Sequence, residues 1–267
     1  MSTLEMTRPT VTAPVRRSFV TDTAHVWWRE TLTIVRDPFS LVFSLIQPLV
    51  FLGLFGPLLA GTTGQGLGDG TLQWFLPGVV VMITMFGTSM TGSNLLFELM
   101  TGSFERTLAT PLSRASTLVG RALKELTPLV VQALLIVLIA WPFGFRIHPL
   151  HIALGLVILG VFGVGIGAFS YALALATRAS EWVFWAVQQT LLFPLLILSG
   201  MMLPLETGPR WMQIAAAFNP LTYIVDAERQ LFAGEFGTDV LLGIAAAVIT
   251  CGLGLALGVR TVQRSGL

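Results

Sequence analysis

HIALGLVILGVFGVGIGAFSYALALA, residues 151–176, decides what kind of chain this is. It runs for 26 residues without one Asp, Glu, Lys or Arg. As an α-helix it would be about 39 Å long at 1.5 Å per residue. The hydrocarbon core of a bilayer is only about 30 Å thick. Working outward from this run, five more have the same character: Phe39–Ala60, Leu76–Asn94, Thr127–Phe145, Val183–Leu203 and Leu241–Arg260. None contains Asp, Glu or Lys, and the only Arg closes the last of them. Glycine and proline inside such runs are tolerated where neighbouring helices cover the freed backbone. The runs at Thr127–Phe145 and His151–Ala176 are joined by the short link Arg146–Leu150 and are expected to form a tight helical hairpin.

Composition agrees. Of 267 residues, 54% are apolar and 11% charged, against about 25% charged in an ordinary soluble domain. Mean hydropathy is +0.80. So few charges cannot clothe a water-facing surface, which argues against a soluble enzyme, a nucleic-acid binder or a disordered chain. The expected fold class is an all-α membrane protein with six transmembrane helices. The single cysteine, Cys251, allows no internal disulfide and no cysteine metal cluster. Residues 1–18, rich in Thr, Pro and Arg, read as a mobile tail before a single transmembrane domain over residues 19–267.

Orientation follows from Lys and Arg. Of fifteen, twelve fall before the first run, between the second and third, between the fourth and fifth, or at and after the end of the sixth. Only Arg146, Arg210 and Arg229 fall on the other side. By the positive-inside rule both termini are expected in the cytoplasm, across a plasma membrane. Trp27, Trp28, Trp74, Trp141, Trp182, Trp185 and Trp211 lie beside or within about a turn of an expected span end, where the amphipathic indole prefers the headgroup level.

Two segments are expected to lie on the membrane. Phe19–Arg36 places Phe19, Thr23, Val26, Trp27, Thr31, Ile34 and Val35 on one helical face, with Asp22, Arg29 and Arg36 elsewhere. Asp37-Pro38 stops it. Between the fifth and sixth runs, Trp211, Ile214, Ala215 and Phe218 mark one short helix. Asn219-Pro220 breaks it, and Leu221, Ile224, Val225, Leu231 and Phe232 mark a second, ended by Gly234. Neither is long enough to span. Asp226, Glu228 and Arg229 are expected to pair locally, with an outer vestibule as the alternative.

The longest inner loop, Leu95–Leu126, holds the densest charge in the chain. A short helix around Ser103–Ala109 is expected, capped by Ser103, with Glu105 favourable at its start and Pro111 beyond its end. A second helix from about Ser113 should run into the third span. The string Glu98-Leu-Met-Thr-Gly102-Ser103-Phe104-Glu105-Arg106-Thr107-Leu-Ala-Thr110-Pro111-Leu-Ser113-Arg114 resembles the inner loop of ABC-2 type transporter permeases, daunorubicin- and multidrug-resistance-like. Those are the membrane subunits of ATP-binding-cassette exporters. Phe104 and Thr107 stand where that pattern has Leu. Gln47-Pro48, Leu76-Pro77-Gly78, Ser199-Gly200-Met201-Met202-Leu203-Pro204, Pro209-x-Trp211 and Asn219-Pro220-Leu221-Thr222-Tyr223 are similar to further family motifs, in the right order along nearly the whole chain.

The resemblance implies a permease that acts as a homo- or heterodimer above two copies of an ABC ATPase, with ATP and Mg²⁺ on that partner and no cofactor on this chain. It implies a coupling helix at Ser103, Phe104, Glu105, Arg106, Thr107, Thr110, Pro111 and Arg114, with the Phe19–Arg36 helix as a second contact. It implies export of a hydrophobic or amphipathic drug-like compound. A lipid or lipid-linked glycan is the alternative cargo. The only lysine, Lys124, has no phosphate-loop context, so the ATPase is expected on a separate polypeptide.

An ion-coupled carrier is the alternative of another class, but such machines place ionisable groups within the membrane, and no expected span has an internal carboxylate. A metalloenzyme would need more than His148 and His151 astride an outer turn. Gln47, Thr88, Asn94, Gln188 and Gln189 are candidates to line a pathway, or alternatively to hydrogen-bond between helices. Gly163-x-x-x-Gly167 and Gly254-x-x-x-Gly258 allow close helix approach, within the subunit in preference to between subunits.

Overall fold

The computed structural model describes residues 19–63, 70–101, 114–202, 204–205 and 208–264. Its described residues form helices and turns, with no strand among them. In chain order these are α1 (Phe19–Val35), α2 (Pro38–Thr63), α3 (Leu72–Met100), α4 (Arg114–Lys124), α5 (Leu126–Ala140), α6 (Pro149–Ala176), α7 (Glu181–Ile197), α8 (Arg210–Ala217), α9 (Pro220–Phe232) and α10 (Thr238–Arg264). Four stretches are long and apolar enough to cross a membrane: Leu72–Met100, Val119–Phe143, Pro149–Ala176 and Thr238–Arg264. Val42–Leu58 and Glu181–Ile197 are shorter apolar helical stretches.

The core is a three-helix seam of α3, α6 and α10, and small residues set its spacing. A side chain on Gly165 would put its Cβ 2.7 Å from the Cα of Cys251 and 2.7 Å from the Thr250 carbonyl. Gly254 meets the Gly165 backbone from the other side. Gly163 abuts Thr84 and Thr88, and Gly167 abuts Thr91. These glycines therefore pack α6 against its own neighbours in the same subunit. Polar groups stitch the same seam: the Ser170 hydroxyl donates to the Ser89 carbonyl at 2.5 Å and accepts from the Gly92 amide at 3.1 Å. In lipid, where burial of apolar surface gives no driving force, close packing and such bonds hold helices together.

The fifth apolar run does not stay helical to Leu203. α7 ends at Ile197, and Gly200 turns the chain with φ +69°. The cause lies 20–30 residues downstream. Asn219 caps α9 by accepting from the Leu221 amide at 3.1 Å, while its Nδ2 donates to the Leu195 carbonyl at 2.8 Å. The Thr222 hydroxyl lies 3.1 Å from the Leu198 carbonyl. Arg229 donates to the Gly200 carbonyl at 2.6 Å. A helix terminus leaves its last carbonyls without intrahelical partners, and here Asn219 and Thr222 at the start of α9 and Arg229 in its last turn supply donors. The two short helices expected between the fifth and sixth runs are present, with Pro209 at the N-cap of α8, Pro220 opening α9 and Gly234 (φ +84°) after it. Trp211, Ile214 and Phe218 are exposed on α8.

The bundle has two distinct ends. At one, Gln73 at the start of α3 donates to the carbonyls of Arg146 and Phe232, and the His148 ring meets the Phe232 carbonyl at 3.2 Å. The His151 ring lies tilted against Phe236, ring centroids 4.3 Å apart. At the other end lie α1, α4 and the last turns of α3 and α6.

Candidate functional site

α4 is the first described element after Thr101, and it is held on three sides. α1 lies along it because Gly120 leaves a notch. A Cβ there would come within 2.7 Å of Val26 Cβ and 3.0 Å of the Thr23 carbonyl. The α1 face that packs is Asp22, Thr23, Val26 and Thr31, all buried, whereas Phe19 is half exposed. Asp22 thus belongs to the buried face, not the polar one expected from helical spacing. The notch on α4 selects that face, and nothing local to α1 announces it.

Two ionic contacts reinforce the docking. Arg121, with its side chain 5% exposed, donates to Glu98 Oε2 of α3 at 2.5 Å. The same guanidinium faces the hydroxyl of Tyr171 on α6. Lys124 Nζ lies 3.7 Å from Glu30 of α1 and 3.9 Å from its neighbour Glu125. Burial alone would raise the Glu30 carboxyl. The hydrogen bond from Arg29 and the cations Lys124 and Arg121 more than offset it, so its pKa falls below the ordinary value. The result is a clamp in which one eleven-residue helix is tied to α1, α3 and α6. A movement of α4 must carry those three or break these part-buried contacts.

The helix expected from about Ser113 into the third span is present but breaks at Glu125, between α4 and α5. Glu125 is 7% exposed and accepts from Thr91 Oγ1 at 3.4 Å. This corrects the expectation that no span holds a carboxylate. The apolar helical stretch begins at Val119, so Lys124 and Glu125 fall within it. A boundary drawn at Thr127 from apolar residues alone stops two positions short of a carboxylate that protein, rather than water, surrounds.

On the far side of that elbow is a cavity of about 340 Å³ between α2, α3 and α5. Thr33, Asp37, Ser44, Asn94, Lys124, Glu125 and Gln132 give it polar groups, and Ile83, Met90, Pro128 and Leu129 give it apolar walls. Gln132 Nε2 donates to Ser44 Oγ, joining α5 to α2. Of the pathway candidates, Thr88 and Asn94 line this cavity. Thr88 also bonds back to the Thr84 carbonyl at 2.6 Å. Gln47 lies on an exposed face of α2, and Gln188 and Gln189 sit on α7, so the structure does not bring the five together. Glu125, which the sequence reading missed, also lines it, as does Gln132 of the third run. Of the coupling residues, Ser103, Phe104, Glu105, Arg106, Thr107, Thr110 and Pro111 lie outside the described residues, and Arg114 opens α4.

At the opposite end, Asp226 and Arg229 do pair, at 3.5 Å, and both line a second cavity of about 410 Å³. Arg229 also lies over the Trp74 ring at 3.9 Å. Glu228 does not join them. It is fully buried, and neither carboxyl oxygen has a hydrogen-bond partner among the described residues. Burial pushes its pKa up to about 8.

A bundle of long apolar helices, glycine-packed and carrying a clamped helix beside an amphipathic one, has the architecture of a polytopic membrane protein. More narrowly, the chain belongs to the ABC-2 type transporter family, whose model matches residues 21–233. It is 30% identical over 241 residues to the daunorubicin resistance ABC transporter permease protein DrrB1 of Streptomyces coeruleorubidus, covering 88% of this chain and 84% of that one. It is 32% identical over 206 residues to the putative transport permease ycf38 of Cyanophora paradoxa, covering 76% and 71%. It is 23% identical over 231 residues to the probable doxorubicin resistance ABC transporter permease protein DrrC of Mycobacterium tuberculosis (strain ATCC 25618 / H37Rv), covering 84% and 83%. Relatives of this kind are permease subunits of ABC transporters, and the family implies an ATPase partner and dimeric assembly in general.

Proposed function

We propose that this chain is the membrane subunit of an ATP-driven exporter that moves a hydrophobic or amphipathic drug-like compound out of the cell. Two copies, or one copy with a related permease, stand above two copies of a separate ATPase, which binds ATP and Mg²⁺. The clamp on α4 carries this reading. A chain that only held its place in the bilayer has no need to tie the helix after its charged segment to α1 and α3 through part-buried ion pairs and to α6 through the Arg121–Tyr171 contact. A chain that receives motion through that segment does. The names of the relatives favour drug export over the lipid-linked alternative. The apolar faces of α2, α7 and α8 left exposed in the single chain, Phe43, Leu54, Phe193 and Phe218 among them, are available to lipid and to the second permease.

The functional test is uptake into inverted vesicles holding the permease and its ATPase. Glu105→Lys or Arg106→Glu should cut ATP-driven uptake at least tenfold while insertion stays normal. Unchanged uptake with normally coupled ATP hydrolysis removes the coupling assignment. Uptake that persists without any ATPase removes the exporter reading in favour of an ion-coupled carrier.

Six spans with both termini in the cytoplasm complete the proposal. The basic residues support it: Arg29, Arg121, Lys124 and Arg178 belong to one end of the bundle, and Arg146 and Arg229 to the other. Reporter fusions after Gly68 and Gly234 should face outward and one after Ser113 inward. A cytoplasmic reporter after Gly68 breaks this topology.

A further inference from the structure

α9 turns a carboxyl group into the bundle and gives it nothing to bond. Glu228 is fully buried, and neither of its oxygens has a hydrogen-bond partner among the described residues. Gly155 of α6 makes the space: a Cβ there would lie 3.0 Å from Glu228 Cδ. The ionisable groups around it are engaged elsewhere or turned away. α9 packs against α3, α6, α8 and α10. On α6 the ionisable group at this end is His151, one turn before Gly155, with its ring against Phe236. On α10 it is Asp239, which accepts from Gln230 at 3.1 Å. On α8 it is Arg210, which is exposed. The first ionisable group of α3 is Glu98, in its last turn and bonded to Arg121. On α9 itself, Asp226 pairs with Arg229 at 3.5 Å. None of them moves Glu228, whose pKa rises through burial alone. A buried carboxylate without a partner is costly, so the carboxyl keeps its proton.

The opposite face of α9 lines a cavity. Thr222, Asp226 and Arg229 stand at i, i+4 and i+7, on the side turned from Glu228, and border the space of about 410 Å³. The same helix holds the end of α7: Asn219 donates to the Leu195 carbonyl at 2.8 Å, and Arg229 to the Gly200 carbonyl at 2.6 Å. Glycines with positive φ stand at both joints, Gly200 after α7 and Gly234 after α9. There the backbone turns without the strain a side chain would add. These joints let α9 swing as a unit, and the contact it would leave is the Gly155 notch on α6.

We propose that Glu228 is a proton-binding latch: protonated, it seats α9 in the Gly155 notch, and loss of the proton releases α9 and opens the cavity on its other face. An ionised Glu228 has no partner in the notch and gains water by leaving it. The seated form holds its proton up to about pH 8, whereas a solvated carboxyl gives it up near 4.5. Between those values each pH unit shifts the balance about tenfold towards release, and above the upper one the shift stops. The latch needs neither cargo nor ATP, so its test is separate from that of the exporter.

The test uses the full chain in detergent, with Cys251→Ala to remove its only cysteine and Ser199→Cys as the reporter. Ser199 lines the cavity and is 0% exposed, so a maleimide reaches a thiol there only when the cavity opens. Dividing each labelling rate by that of the same protein carrying Glu228→Gln, at the same pH, cancels the thiol's own titration. The ratio should rise at least tenfold from pH 6 to pH 8 and level off above. Gly155→Ala, whose methyl takes the place of the carboxyl, should label at least tenfold faster than its parent at pH 6. Hydrogen exchange of the unmodified chain, corrected for the intrinsic pH dependence of amide exchange, needs no variant. Across pH 6–8 the α9 amides should lose at least tenfold in protection while the α5 amides keep theirs. A ratio that stays flat from pH 6 to pH 8 overturns the latch. So does labelling of Gly155→Ala no faster than its parent, or a loss of protection spread evenly over the helices.

Discussion

The unmodified chain should lose more melting temperature between pH 6 and pH 8 than the Glu228→Gln permease does. Glu228 sits at 0% exposure on α9, facing α6 where Gly155 leaves room for its carboxyl group; a Cβ on Gly155 would lie 3.0 Å from Glu228 Cδ. Its neighbour Arg229 cannot serve it, being committed to Asp226, the Gly200 carbonyl and the Trp74 ring. With its pKa raised from 4.5 to about 8, the folded chain carries this group protonated where the unfolded chain has lost the proton. The folded state therefore binds more protons between those values, and stability falls as pH rises. It is greatest below about pH 4.5, declines by about 1.4 kcal/mol per pH unit, and levels off once pH passes the folded value near 8. From pH 6 to 8 the loss is about 2–3 kcal/mol, or roughly 5–10 °C in melting temperature for a chain of this size. Thermal unfolding in detergent at a series of pH values reads it. Parallel curves for the two proteins would show that Glu228 is solvated or paired after all.

Glu228 also shows what was legible in the sequence and what was not. Local pairing with Asp226 and Arg229 was the expectation, and helical geometry explains why it holds for only two of the three. Residues 226 and 229 are three apart and share a face. Residue 228 falls on the stripe of Leu221, Ile224, Val225, Leu231 and Phe232, all buried. That stripe was visible in the spacing, so the carboxylate on it could have been read as buried. The long apolar runs were legible because hydrocarbon thickness imposes a length that water-soluble folds rarely need. The end of α7 was not, because the groups that take up its last carbonyls, Asn219, Thr222 and Arg229, arrive 20–30 residues later in the chain. The motif Asn219-Pro220-Leu221-Thr222 was recognisable as a pattern, but only the fold shows that its polar members finish two helices at once. The clamp was half legible. The sequence marks the charges of the Leu95–Leu126 loop without saying that Arg121 reaches back 23 positions to Glu98, or that Tyr171 and Glu30 complete the set. Glu125 was missed for a simpler reason, since a span boundary placed by hydropathy stops at the first charge it meets.

Removing the Arg121 side chain should be the most damaging single loss of charge at the clamp. Arg121→Ala leaves Glu98, one quarter exposed, facing a side chain that no longer answers it, beside the buried apolar cluster of Leu95, Leu96, Ala168 and Leu175. Breaking one partner of a buried pair typically costs 3–5 kcal/mol, and the partial exposure of Glu98 places this case near the lower figure, about 3 kcal/mol. Unfolding measurements on Arg121→Ala and Glu98→Gln check that size. A second comparison separates stability from transmission. Replacing both partners, as in Glu98→Met with Arg121→Met, removes the stranded charge, and such apolar replacements are often neutral or stabilising. The double variant should therefore recover most of the melting temperature lost in Arg121→Ala. If the ion pair is what ties α4 to α3 during the transport cycle, this folded protein should still hydrolyse ATP with its partner yet move at least fivefold less compound per ATP consumed. Full recovery of transport along with stability would reduce Arg121 and Glu98 to a packing device. The transmitting contact would then have to lie on the α1 side of α4, at Glu30 and Lys124.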